Sequence, residues 1–140
     1  MSVRPRQALY AHLRADQGVQ AIVGDRIYHR HAPLDTKKPL IVIWPTISDV
    51  PIRDLNGVAY RRARLQVTAM AADDNKSRDA QPKAEAAAKA VISAVEGFSG
   101  MMAGALNVIL ATVDNDRQID QEGVDEIHHH VDVIITYKEE

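Results

Sequence analysis

Cysteine is absent from all 140 residues, and with it go disulfides, thiol nucleophiles, cysteine-ligated zinc and iron–sulfur clusters. Aromatic residues are scarce. One Trp, one Phe and four Tyr are too few for the stacking platform on which single-strand nucleic-acid binders lay successive bases. Long apolar runs are missing too: "MMAGALNVILATV" is the longest nearly apolar stretch, too short to span a bilayer. The N-terminal "MSVRPRQALYAHLRAD" has no apolar core of signal-peptide length, so a soluble protein made in the cytoplasm, with no membrane partner, is expected. No P-loop or dinucleotide fingerprint occurs, and "GFSG" lacks the spacing of a nucleophile elbow. No nucleophile stands out beside a base, so neither an enzyme nor a cofactor is expected.

What is present describes an ordinary globular chain. Hydrophobic residues make up 46% and charged residues 26%, close to the average for soluble domains. The length suits one domain over residues 1–140. Net charge is only −2, but it is divided unevenly: through Arg64 there are eleven Lys/Arg against five Asp/Glu, and beyond it six against fourteen. Such a split suits head-to-tail contacts between copies, and equally an interspersed surface once the chain folds.

Periodicity supplies the elements. Ala8, Leu9, His12 and Leu13 recur at helical spacing after Pro5, and Asp16 can cap a further turn that Gly24 stops. "DRIYHRHAP" reads as a short extended segment and a loop, and "PLIVIW" as a buried strand ended by Pro45. "SDVPIRDLNGVAY" is rich in turn formers, with Asn56-Gly57 a strong hairpin or loop signal. In "RRARLQVTAMA", Ala63, Leu65, Val67, Ala69 and Ala71 alternate with Arg62, Arg64, Gln66 and Thr68, as a strand with one wet face requires. A long helix is predicted over "DDNKSRDAQPKAEAAAKAVISAVEGF", burying Ala80, Ala84, Ala87, Ala88, Val91, Ile92, Val95 and Phe98, with Pro82 in its first turn. "LNVILATVDNDRQI" and "EIHHHVDVIITYK" complete four strands. The expected fold is α+β: a mainly antiparallel four-stranded sheet packed with one long helix and short N-terminal helices.

Three groups of side chains invite a functional reading. In the run His128-His129-His130, alternation puts His128 and His130 on the face away from the core and His129 at the core margin. His128 and His130 would stand roughly 7 Å apart, within reach of one metal ion, but no third ligand follows at a usable spacing, so no metal is assigned. "DNDRQIDQEGVDE" sets Asp114, Asp116 and Asp120 at alternate positions but has Ile119 where a calcium loop needs glycine, so it reads as a solvated acidic hairpin. Arg62 and Arg64 share one strand face and, with Arg53, Lys37 and Lys38, could form a basic patch. The slightly acidic total favours a solvated or subunit-contacting face over a nucleic-acid site.

The order of segments carries a further signal. "VGDRIY" (Val23 to Tyr28), the Pro39-led strand, "DLNG", "LQVTAMA" (Leu65 to Ala71) before an alanine-rich helix, and the final "IHHHVDVIITY" together resemble the tail completion, or head-to-tail joining, proteins of long-tailed bacteriophages. The resemblance covers nearly the whole chain. It implies helices packed on a β-sheet and a structural role in the virion, at the end of the tail tube. Its members form a ring, commonly six-fold, that contacts the tail tube protein and the head connector or head-completion protein. DNA would pass through the lumen without sequence-specific binding. No catalytic residue comes with the resemblance. Its contacts are expected from the segments Pro33 to Pro39, Ser48 to Tyr60 and Asp114 to Glu126, with Asp54, Leu55, Asn56, Gly57, Arg62, Arg64, Asp116 and Asp120 as candidate interaction residues. Another connector or minor tail subunit, a small histidine-dependent metal enzyme and a nucleic-acid-binding accessory domain are the alternatives.

Overall fold

The computed structural model describes residues 4–30, 32–33, 38–53, 59–72, 80–120 and 126–138. Three helices cover one face of a curled seven-stranded mixed sheet. Helix α1 (Pro5–Ala15) starts on a proline, whose missing N–H costs nothing at that position, and buries Ala8, Leu9 and Leu13. The Asp16 carboxylate then accepts the Val19 N–H at 3.0 Å and caps α2 (Gln17–Val23). Gly24, at φ 59°, ends it. Helix α3 (Ala80–Val95) runs for 16 residues and buries the predicted alanine and valine stripe, with Ile92 and Phe98 packed at its margin. Small buried side chains let this helix lie close on the sheet. His12 ties α1 to it, its Nε2 lying 2.7 Å from the Ala94 carbonyl oxygen and its ring edge-on to Phe98.

The strands are β1 (Ile27–His29), β2 (Leu40–Ile43), β3 (Ser48–Arg53), β4 (Ala59–Ala72), β5 (Gly100–Met102), β6 (Leu106–Asp120) and β7 (Glu126–Lys138). They lie in the order β1-β2-β4-β7-β6-β5, with β3 paired to β4 beyond the end of β2. All pairs are antiparallel except β1 with β2. The α+β class stands, but the four-stranded antiparallel sheet and the single long helix need correction. Three strands add to the four expected: β1, foreshadowed only as the short extended segment within "DRIYHRHAP", β3 within the turn-rich segment, and β5 after α3, for which no strand is expected. The described long helix begins only at Ala80, and α1 is a three-turn helix of 11 residues beside it. Strand β3 was disguised by Pro51. In an antiparallel pair every second N–H points away from the partner, and Ile47 donating to the Arg64 carbonyl ahead of the Ser48–Arg64 pair makes Pro51 one of those outward positions. The proline therefore costs β3 no ladder bond and blunts its free edge.

The register of β4 against β7 is continuous, from Tyr60 opposite Lys138 to Ala72 opposite Glu126. It sets the faces of the whole sheet. Ala63, Leu65, Val67, Val131, Val133 and Ile135 turn inward to the helices and are buried. Arg62, Arg64, Gln66, Thr68, His130, Asp132 and Ile134 turn outward. Strand β6 is less regular, with register shifts after Val108 and after Val113 that leave Ile109 and Asp114 as extra residues.

Candidate functional site

The outward face divides into two halves with different chemistry. Around the middle and one end, polar side chains are tied together. Thr68, fully buried, accepts a hydrogen bond from the Trp44 indole at 2.7 Å. Its own hydroxyl hydrogen is thus free to go to His130 Nδ1, 2.7 Å away, where the Gln66 amide nitrogen also arrives at 2.7 Å. A ring nitrogen facing two donors must be the unprotonated one. Burial first, then the positive Arg117 nearby, lowers the His130 pKa from its ordinary value, so the imidazole is held neutral. Next to it Asp132 receives Arg117 at 3.2 Å and lies 4.0 Å from Arg64, which also pairs with Asp114 at 2.9 Å.

His128 and His130 share this face as alternation predicts, with ring centroids 6.3 Å apart and nearly perpendicular. Their donor atoms do not converge. His128 Nε2 meets Glu126 at 2.6 Å while His130 Nδ1 turns to Thr68 and Gln66. Among the described residues no three His, Cys, Asp or Glu side chains gather as a metal set. The metal candidates His128 and His130 are thus side chains engaged in separate polar contacts. His129 lies on the inward face, its Nε2 3.1 Å from Asp116 and its buried Nδ1 without a partner among the described residues.

The other half of the outward face is open. Its rows read Ile52–Tyr60–Lys138, Val50–Arg62–Thr136–Leu110 and Ser48–Arg64–Ile134–Thr112. Of the six large apolar residues exposed among those described, Ile47, Val50, Met101, Ile109 and Leu110, at 44–56% exposure, lie on or beside these rows, and only Ile119 sits elsewhere. Exposure concentrated on one half of one face is unlike the single scattered apolar residues of an ordinary surface. Arg62 stands among them without an ion pair to any described residue. Sequence reasoning found Arg62 and Arg64 but not their apolar neighbours, because Val50 and Leu110 reach this face only through pairings of β3 and β6 with other strands.

Of the other interaction candidates, Asp54, Leu55, Asn56 and Gly57 lie outside the described residues. Asp120 ends β6 opposite Ile127. Asp116 faces inward, opposite Val131, because the extra residue Asp114 shifts the alternation by one. On the inward side of the open half, Asp49 takes Arg61 at 2.9 Å and the Tyr137 hydroxyl at 2.7 Å. Burial, then the hydrogen bond to that carboxylate, pushes the phenol up to about 12. This cluster pins the end of β3 over the core. The uneven charge of the two halves of the chain is partly neutralised internally, as Arg64 meets Asp114 and Asp132, and Lys38 meets Glu126.

A one-sided helical cover on a continuous sheet leaves an exposed apolar face around Arg62. The chain belongs to the family described as tail completion protein gp17, whose model matches residues 7–138. It is therefore a structural component of the virion. Among solved structures, a chain from the virion of a native gene transfer agent particle is similar in fold, with a TM-score of 0.73 at 18% identity over 96% of this chain and 95% of that one. No curated protein sequence matches.

Proposed function

We propose that this chain caps the tail tube and joins it to the head connector, acting as one domain within a closed ring, six-fold in its simplest form, whose lumen passes DNA. The observation that carries the reading is family membership across nearly the full length. The shared fold with a chain of a gene transfer agent virion supports it. So does an apolar sheet face that a monomer would have no reason to leave in water. In this reading the sheet and α3 form the rigid body of the ring. Contacts to the tail tube protein and to the head connector come from Arg62, Arg64, the acidic end of β6 at Asp116 and Asp120, and the segment Asp54 to Gly57. The work is done by binding, with no catalytic step and no cofactor.

Particles assembled without this chain should accumulate as full heads and separate tails in electron micrographs. Purified protein added back should restore joined particles. Normally joined particles in its absence would contradict the proposal.

A further inference from the structure

The open half of the outward face combines apolar exposure with unneutralised positive charge. Val50, Met101, Ile109 and Leu110 are 44–53% exposed there. Arg62 lies in the same row as Val50 and Leu110, and Lys138 in the next. Both cations are exposed, and neither forms an ion pair with a described residue. The acidic side chains described in this half are already taken: Asp114 by Arg64, and Asp49, on the inward side, by Arg61. Covering such a surface requires a partner that brings carboxylates to the cations and apolar atoms to their neighbours, because burying an unpaired charge is strongly unfavourable. A phosphate backbone would answer the charge and leave the apolar side chains in water.

The described surface of a second copy does not supply that complement. Packing the face on itself gathers the unneutralised Arg62 and Lys138 of both copies into one contact. Ile119, the one large apolar residue exposed elsewhere, has Arg117 as its outward neighbour along β6, while Asp116 turns inward to His129 and Glu126 is held by His128 and Lys38. We infer that the Val50–Arg62–Leu110 face, with Lys138 at its end, is the docking site of a different protein, one that presents carboxylates set among apolar side chains. Copies of this chain then meet one another through other surfaces. This rests on the joining reading above and gives it a docking face and a partner chemistry.

A carbodiimide couples an amine to a carboxylate only where the two touch, and Lys138 supplies the amine. Joined particles treated with it and analysed by peptide mass spectrometry should show Lys138 linked to an Asp or Glu of another protein. Lys138 linked only to a second copy or within its own chain would overturn the inference, and so would no link at all, the result expected of a face that meets DNA or nothing. The cross-link needs no variant, and a variant gives the second arm. Arg62→Glu combined with Leu110→Asp should melt within a few degrees of the wild type and form the same oligomer by native mass spectrometry, yet restore about tenfold fewer joined particles when added back. Loss of the oligomer would show that copies meet on this face, and undiminished joining would show that nothing docks there; either overturns the inference. If the wild-type chain itself restores no joining, the joining reading fails first and takes this docking site with it.

Discussion

His130 shows how a single strand position can be legible in direction and opaque in role. Alternation along "IHHHVDVIITY" places it outward, and it is outward. Nothing in its neighbours along the chain reveals that Thr68 and Gln66 close on it, since those contacts come from a strand some sixty residues away. Its pKa is lowered by burial and by Arg117. Below the ordinary imidazole value of 6.5 the unfolded chain therefore binds a proton that the folded chain resists. Stability then rises with pH across the window from the lowered value up to 6.5 and is lost on acidification. The melting temperature of the wild type should fall more steeply between pH 7.5 and pH 5.5, on the order of this titration range, than that of His130→Gln. Parallel curves for the two proteins would show that His130 is not the group responsible.

At the scale of elements, the strands that the sequence announces are those with an unbroken alternation of buried and wet side chains: β4 and β7, paired without a register shift. Helix α3 was legible for the same reason, its apolar stripe being local. The short β5 and the proline-bearing β3 were not, because each is held by a neighbour and shows no clear period of its own, and β1 was legible only as a short extended segment. The irregularity in β6 was equally hidden. Reading straight alternation through Leu110, Thr112, Asp114 and Asp116 puts both aspartates outward, whereas the extra residue Asp114 sends Asp116 inward to His129. A test follows from the two-against-one count. Deleting Asp114 leaves Val113 and Asn115 opposite Val133 and Asp132 in regular register, so the fold should survive with a loss of roughly 1 kcal/mol, that of one exposed ion pair. Deleting Gln66 from the regular β4 throws Leu65 and Val67 out of phase and should prevent folding. Circular dichroism and thermal melts of both deletions decide it, and an unfolded Asp114 deletion would show that the bulge itself is required.

For the whole molecule, the segment order pointed to the family before any contact was known. What stayed out of reach was the open face, which exists only once β3, β4, β7 and β6 lie side by side. Its five exposed apolar residues come from positions between Ile47 and Leu110, scattered in sequence and adjacent only in the sheet. Uneven charge along the chain likewise has to be read in three dimensions, because Arg64, Lys38 and their acidic partners meet inside one molecule. Arg62, without an ion pair to any described residue, is a small part of the total.

The central claim is that this chain works as a ring of identical subunits. Native mass spectrometry of the purified protein across a wide concentration range measures that directly. The prediction is a single closed oligomer, six copies in the simplest case, growing at the expense of monomer as concentration rises. A chain that stays monomeric throughout, or that grows into open-ended series with no preferred size, would contradict it.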